Sequence, residues 1–320
     1  MNEPSSERVR VLPGARFTCH GDGLCCSDVH ALGPVSETEA ELLVALHPKT
    51  ITPHGEDQVL SLKDDGTCLF LDETVGCGLH AQLGPRSKPR TCQQFPFRII
   101  QTPTGTRLST AHLCPCRTLG EREALTSERA DGLPDRRPDR IVSVSLPWDA
   151  EHQVSMADWE VEEASLFARL HAGETVSAVL GAQPELDARW QAFAEELLST
   201  NGEHRFAAAL RMFGAALLDH ADFERPAWHL SFQRAVARSP DERDPAEVLR
   251  DWVMEELWSL EWAFRGTYQQ ARRELVVRAA MATRIASRLT GRPDAAMAEA
   301  VSVVDLVGLD DGYRDFVGAL

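Results

Sequence analysis

Long apolar segments are missing from this chain of 320 residues. A membrane-spanning helix needs about 20 consecutive apolar residues, whereas the best stretch, 206–218, is interrupted by Arg211. Residues 1–8 also lack the apolar core of a secretion signal. We therefore expect a cytoplasmic protein with no membrane partner.

Positive charge is scarce as well, with 33 Lys and Arg residues against 49 Asp and Glu residues and a net charge of −16. Nucleic acids and anionic membranes bind positive surfaces, so neither is expected as a partner. Residues 1–120 contain 11 basic and 13 acidic residues, so most of the excess acid lies in the rest of the chain. We expect that acid on solvated helical faces. A protein remains as the class of partner or substrate.

Tryptophan does not occur before residue 148, and cysteine does not occur after residue 116. The eight cysteines lie at positions 19, 25, 26, 68, 77, 92, 114 and 116. This separation predicts a cysteine-cluster metal-binding domain over 1–130, a linker over 131–150 and a helical domain over 151–320. The predicted fold class is mainly α (α+β overall): a small irregular Cys-rich domain with short hairpins, followed by an all-α domain.

Local patterns refine this division. Ser36 and Glu39 form a capping box before a helix. In the first region we expect two hairpins, at 59–71 and 97–110, and a short helix at 76–83. In the second region, helices are predicted at 156–171, 185–199, 203–221, 227–238, 245–289 (with a break at Gly266) and 294–307.

One of these helical segments carries an aromatic stripe formed by Val248, Trp252, Trp258 and Trp262. A stripe of this kind can line a ligand groove. It more often faces a neighbouring helix, so we expect these side chains in the core.

Familiar catalytic and metal-site motifs are absent from the sequence. There is no C-x2-C pair of a zinc finger, no ferredoxin or radical-type cysteine run, and no glycine-rich fingerprint for a nucleotide or S-adenosylmethionine. Nor is there a G-x-S-x-G, H-E-x-x-H or phosphate-binding loop. The cysteines must therefore be interpreted from their number and clustering.

Eight clustered cysteines can be disulfides, inert buried thiols or metal ligands. The cytosol keeps thiols reduced, and inert cysteines seldom cluster, so metal ligation is the favoured interpretation. Adjacent Cys25 and Cys26 are awkward ligands for one metal, because consecutive side chains point apart. Their number favours an iron–sulfur cluster over zinc, since one tetrahedral zinc needs only four thiolates.

Charged and aromatic residues around Cys92 support ligation. Arg86, Lys88, Arg90 and Arg98 surround it without an acidic residue between them, and such charges lower thiol pKa values; the alternative is that they face water. Arg117 is expected to act similarly on Cys114 and Cys116. The segment 95–97 supplies either an apolar wall for the site or ordinary core. Three histidines are candidates for a further ligand or for a hydrogen-bond donor to a ligand: His20, His80 and His112.

Five motifs occur in a fixed order: F-T-C at 17–19, G-L-C-C at 23–26, C-L-F-L at 68–71, G-C-G-L-H at 76–80 and P-R-T-C-Q-Q-F-P-F at 89–97. Together with the later L-S at 108–109 and C-P at 114–115, they resemble the YkgJ-type cysteine-cluster family over residues 17–116. That family is described as a zinc- or iron-chelating domain and includes flagellin lysine N-methylases. Lys88 stands where the family has arginine, and Cys116 stands where its methylase-like members have an acidic residue.

The residues and the resemblance together define the expected site and its chemistry. The predicted metal ligands are Cys19, Cys25, Cys26, Cys68, Cys77, Cys92 and Cys114. The expected cofactor is an iron–sulfur cluster, with Zn²⁺ as the alternative. The resemblance also implies a protein-lysine N-methylase-like enzyme that uses S-adenosylmethionine, and a third hypothesis is a metal-stapled module that binds a protein partner.

Overall fold

A computed structural model describes residues 9–19, 23–72, 74–120, 122–128, 133, 137–220, 225–226 and 228–319. In this part of the chain, helix is the dominant structure at about 48% and the sheets are small. The strands are β1 (Arg10–Val11), β2 (Ile51–His54), β3 (Asp57–Leu60), β4 (Leu71–Asp72), β5 (Gly76–Cys77), β6 (Phe97–Thr102), β7 (Gly105–Thr110), β8 (Arg140–Ile141), β9 (Ser145–Pro147) and β10 (Gln153–Ser155). The expected predominance of helix over short strands is confirmed.

The described helices are α1 (Glu37–Leu46), α2 (Gly78–Leu83), α3 (Arg90–Gln94), α4 (Pro115–Thr118), α5 (Met156–His171), α6 (Val176–Leu180), α7 (Ala188–Leu198), α8 (Arg205–Leu217), α9 (His229–Ala237), α10 (Pro245–Trp258), α11 (Tyr268–Ala286), α12 (Pro293–Val307) and α13 (Asp311–Gly318). None of them is long and apolar enough to cross a membrane. Helices α5, α7, α8, α9 and α12 lie within a few residues of their predicted bounds. The segment 245–289 divides into α10 and α11 around a 3₁₀ turn at Glu261–Phe264, while α6 and α13 were not predicted.

The largest sheet is built around the hairpin of β6 and β7, with β1 beside β7 and β8 beside β6. β6 and β7 are antiparallel, and the two outer strands run parallel to their neighbours. The predicted hairpin at 97–110 is confirmed with a tighter turn, because β7 begins at Gly105. The φ of Gly105 is +127°, a backbone conformation that suits glycine.

The second predicted hairpin, at 59–71, forms only in part. A turn joins Lys63 to Thr67, and Leu62 and Cys68 form an isolated bridge beyond it. The longer pairing of β3 is with β2, the strand before it. The register of β3 is therefore set by residues 51–54, which the sequence analysis left unassigned.

Two helices begin with the same capping box. Ser36 before α1 accepts a hydrogen bond from the backbone of Glu39, whose carboxylate accepts one from the Ser36 N–H. Thr267 and Gln270 repeat this arrangement before α11. Each box satisfies two backbone N–H groups that a helix end leaves without partners. The box expected at Ser36 is thus confirmed.

Most buried side chains belong to one cluster, hereafter the main core, which joins the largest sheet to helices α5–α13. Phe17, Ile99 and Leu108 from the first region pack in it together with Trp159 and Trp252 from the second. This core crosses the expected boundary, because the short sheet buries its apolar residues against the helices. The separate Cys-rich domain expected from the sequence is therefore not confirmed.

The predicted linker also contributes to this structure. Some of its residues lie outside the described part, but Val142 and Leu146 are buried in the main core and residues 140–147 include β8 and β9. The alternating apolar residues of this stretch were the overlooked signal. The predicted inward stripe on α10 and the turn after it is confirmed, since Val248, Trp252 and Trp258 are buried, as is Trp262.

A second cluster, hereafter the small core, lies between α1, β3 and α2. Its buried members are Leu32, Val35, Ala40, Leu43, Leu60, Cys68 and Leu79. Partly buried side chains pack against it, namely Cys26, Ile51, Phe70, Leu71, Cys77 and Cys92. A core of this size buries little apolar area and needs support from elsewhere.

Candidate metal centre

Four of the predicted ligands meet in the small core: Cys26, Cys68, Cys77 and Cys92. They come from four separate segments of the chain. Cys68 is buried and the other three are half-buried. None of the eight cysteines forms a disulfide bond. The small core therefore contains four reduced sulfur atoms among apolar side chains.

Backbone contacts hold these four residues near one another. The Cys68 N–H donates to the carbonyl of Cys26 over 2.8 Å. Cys77 pairs with Leu71 at the end of β5 and stands at the N-cap of α2. Cys92 lies in the middle of α3, whose residue Thr91 donates its hydroxyl to the carbonyl of Pro34. Each cysteine is thus attached to a short element that packs on the small core.

The ionisation of these thiols is coupled. Burial, with contributions from the neighbouring Cys26 and Cys77, raises the pKa of Cys68 to about 11. Burial likewise raises the pKa of Cys92 to about 12, with contributions from Cys26, Cys68 and Cys77. Lys63 and Lys88 act in the opposite direction. At neutral pH Cys68 and Cys92 are therefore thiols, unless a cation stabilises their thiolates.

Within the described residues, no group of three or more His, Cys, Asp or Glu side chains is placed so that it could hold a metal ion. The types of donor nevertheless fit a thiophilic metal, because four cysteines are the number that tetrahedral zinc or a [4Fe–4S] cluster takes. Protonated thiols attract one another only weakly, so a cation is what draws such sulfur atoms to one point.

The other predicted ligands lie elsewhere. Cys25 directly precedes Cys26 in the chain, and their Sγ atoms are 4.0 Å apart. Cys19 is exposed. Cys114 and Cys116 are buried in the main core, at the start of α4. The structure thus gathers four of the seven predicted ligands, places Cys25 beside Cys26 and buries Cys114 in the main core.

Two of the three candidate histidines lie within the described residues. His80 is exposed on α2, and His112 is buried in the main core, where its Nε2 atom lies 3.7 Å from Asp251. His20 lies outside the described residues.

Among the positive side chains expected around Cys92, Lys88 lowers the pKa of that thiol. Arg90 lies 3.9 Å from Asp139, and Arg98 lies 3.6 Å from Glu261. The aromatic residues after Cys92 pack mainly against the main core, since the ring of Phe97 makes an edge contact with the ring of Phe17 at a centroid distance of 5.0 Å. Phe97 is therefore ordinary core.

Arg117 was expected to face Cys114 and Cys116, but it forms a buried ion pair instead. Its Nη1 and Nη2 atoms donate to Asp251 over 2.5 and 2.8 Å, and Nη2 reaches Glu255 at 3.4 Å. Glu255 also accepts from the backbone and the hydroxyl of Thr110. Although Asp251 is buried, Arg117 holds its pKa well below the usual range.

Sequence reasoning did not identify this ion-pair network. Its signal was present, because Asp251 and Glu255 stand one helical turn apart on α10, among the residues of the tryptophan stripe. Two carboxylates on an inward helical face require buried cations, and Arg117 supplies one.

A cleft of about 950 Å³ opens between the small core and the main core. Helix α3 forms part of its wall through Arg90 and Thr91, the residues on the amino-terminal side of Cys92. Gln94 and Phe95 continue this wall, and Leu309 closes the opposite side. A molecule bound in this cleft would lie against the helix that carries Cys92.

A much smaller cavity of about 30 Å³ lies between β7, α10 and α12. His112, Glu256 and Asp305 line it. Burial and the nearby Glu256 raise the pKa of Asp305 to about 6. The cavity shares Arg98 and Leu309 with the cleft, so polar groups continue from the cleft into the main core.

Comparison of the chain with protein-family models, curated proteins and solved structures finds no match.

Proposed function

We propose that this chain is a cysteine-ligated metalloprotein whose ligands are Cys26, Cys68, Cys77 and Cys92. The observation that carries the proposal is the meeting of these four thiols, from four chain segments, in one small core. Chance placement seldom brings together so many residues of one rare type. Their reduced state leaves the sulfur atoms available for ligation.

The cofactor proposed first is a [4Fe–4S] cluster, and Zn²⁺ is the alternative. Four thiolates with either centre leave a net charge of about −2. Lys63 and Lys88 offset part of that charge, because both lie close enough to favour the thiolate forms of Cys68 and Cys92. A bound iron–sulfur cluster would supply one-electron chemistry, whereas zinc would supply structural support.

Metal analysis and visible absorption of protein purified without oxygen test this proposal. We expect iron, sulfide and a thiolate-to-iron absorption band; a colourless protein with stoichiometric zinc would replace the iron version, and the absence of both metals would refute the site.

Serine variants test the ligand set. Each of Cys26→Ser, Cys68→Ser, Cys77→Ser and Cys92→Ser is expected to lower the metal content. Cys116→Ser is the matched control, because Cys116 is buried in the main core. Equal metal loss in the control would contradict the proposed assignment.

A second candidate is an S-adenosylmethionine-dependent protein-lysine N-methylase-like enzyme. The cleft beside α3 favours it, because Thr91 and Arg90 would place a bound molecule next to the Cys92 ligand. Under this proposal, S-adenosylmethionine binds the metal-loaded protein and raises its thermal midpoint, since a ligand of the native state must stabilise it. An unchanged midpoint at saturating S-adenosylmethionine would count against this candidate.

A further inference from the structure

A helix of the main core reaches the candidate metal centre through one side chain. Arg205 is the first residue of α8. Its Nη1 atom donates to Asp28 Oδ1 over 2.5 Å, and its Nη2 atom donates to the carbonyl of Asp65 over 3.1 Å. The side chains of Arg205 and Asp28 are each 15% exposed. Partial burial makes such a pair stronger than an exposed ion pair.

The two residues that Arg205 holds are close in sequence to two proposed ligands. Asp28 follows Cys26 by two residues, and Asp65 precedes Cys68 by three. The two chain segments that carry these residues are hydrogen-bonded to each other. The Asp28 N–H donates to the carbonyl of Gly66 over 2.8 Å, and the Cys68 N–H donates to the carbonyl of Cys26 over the same distance. Arg205 therefore closes one end of a short ladder whose other end carries Cys26 and Cys68.

The packing around Gly66 shows how tight this contact is. A Cβ atom at Gly66 would lie 2.5 Å from Asp28 Oδ2 and 2.6 Å from Arg205 Nη1. The φ of Gly66 is +75°, so the position also requires a backbone conformation that other residues rarely adopt. Glycine is what allows the turn to pass beneath the Asp28–Arg205 pair.

The start of α8 adds to the attraction. The Arg205 N–H points at Asp28 Oδ2 over 3.4 Å, and the amino end of a helix carries partial positive charge. Asp28 thus meets both a guanidinium and a helix end. Both contacts come from the main core, while Asp28 belongs to the segment that presents Cys26.

We infer that Arg205 is a positioning residue for the metal centre: by holding Asp28 and Asp65 it fixes the spacing of the Cys26 and Cys68 ligands. This inference rests on the proposed function. It assigns to the helical region a direct part in building the metal centre, although that region supplies no ligand. Groups that orient the ligands of a metal change its affinity by about 10- to 100-fold when they are removed.

The experiment measures Zn²⁺ binding to the reduced, metal-free full chain by competition with a chelator, since four thiolates bind zinc whichever metal is native. Arg205→Ala is expected to weaken Zn²⁺ binding about 10- to 100-fold. Asp28→Asn is expected to do the same, and the double variant is expected to bind no worse than the single ones, because the two side chains act as one contact. Arg205→Lys is expected to rescue part of the affinity.

Arg189→Ala is the matched control. Arg189 also pairs with an aspartate near the start of a helix, at 2.9 Å from Asp187, but on an exposed surface of the helical region. It is expected to leave Zn²⁺ affinity unchanged. Tryptophan fluorescence follows the folding of the main core in every variant, which separates a loss of ligand placement from a loss of fold.

The possible outcomes separate the inference from the proposed function. If the unmodified protein binds no Zn²⁺, the metal centre itself is refuted, and the inference with it. If the unmodified protein binds Zn²⁺ and folded Arg205→Ala binds it equally tightly, the metal centre stands and Arg205 has no positioning role.

Discussion

The two cores of this protein are held together by different means. The main core packs a sheet against nine described helices and buries large side chains such as Trp159, Trp228 and Trp252. The small core has seven buried members, and one of them is a cysteine. The first can be stable through apolar burial alone, whereas the second lacks the area to do so.

Polar groups are treated differently in the two cores as well. In the main core, Arg117 and Asp251 neutralise each other, as do Arg107 and Glu163 at 2.7 Å. In the small core, Cys68 is buried and three further cysteines pack against it, and the proposed function would supply a cation to these sulfur atoms. The comparison teaches that the main core balances its buried charges with its own side chains, whereas the small core contains thiols that carry no such ion pair of their own among the described residues.

Removal of the metal is expected to have the largest effect and to separate the two cores. With a chelator and a thiol reductant, amide hydrogen exchange in β3, α2 and α3 is expected to accelerate by at least about 100-fold, because ligation in small zinc modules contributes about 10–16 kcal/mol. Exchange in α10 and α12 is expected to stay slow. A simultaneous loss of protection in both sets of elements would show that the cores fold as one unit.

A buried ion pair tests the main core by itself. Asp251→Asn removes the charge opposite Arg117 and is expected to lower the free energy of unfolding by about 3–5 kcal/mol in urea, because it leaves a buried guanidinium without its main partner. Metal content is expected to be unchanged. Glu174→Gln, which removes one end of the exposed pair with Arg169, is the control and is expected to have no measurable effect.

The same variant predicts a pH dependence. The pKa of Asp251 is well below its usual range in the folded protein. Its contribution to the free energy of unfolding is therefore complete above the pKa of an unfolded Asp, about 3.9, and is lost as the pH falls from there toward the pKa of the folded state. The unmodified protein is therefore expected to lose stability more steeply below about pH 4 than Asp251→Asn. Parallel pH profiles of urea unfolding would contradict this assignment.

The smallest predicted effects come from the two capping boxes, one on each core. Ser36→Ala and Thr267→Ala each remove one helix cap, and each is expected to destabilise the capped helix by about 1 kcal/mol. Ser36→Ala is expected to weaken Zn²⁺ binding about 5-fold, the equivalent of that energy, and to leave tryptophan-detected unfolding unchanged. Thr267→Ala is expected to shift that unfolding and leave Zn²⁺ affinity unchanged. If both variants change the same observable, the cores are energetically coupled.

The helices of the second region could be predicted because their signals are local. Capping residues, apolar spacing and the break near Gly266 all lie within the elements they describe. The short α6 and α13 escaped prediction because five- and eight-residue helices show too few turns for a periodic pattern. The capping box at Ser36 needed only four residues, so it was readable from sequence.

The candidate metal centre could be predicted only as a list of cysteines. Clustering in the sequence indicated ligation, but it did not distinguish Cys92, which packs on the small core, from Cys114, which is buried in the main core. That distinction depends on where β6 and β7 lead the chain after α3. Arg205 was unpredictable for the same reason, since 177 positions separate it from Asp28.

The ring stack between His30 and Phe95, with centroids 5.4 Å apart, has a consequence for how the small core is built. The chain leaves the main body near residue 30 and returns near residue 95, so both ends of the intervening segment are anchored at one place. Such a segment has already lost most of its loop-closure entropy before any sulfur meets a metal. It has the topology of an insertion, and a short bridging turn from residue 30 to residue 95 is the natural replacement for it in a version of the protein that binds no metal.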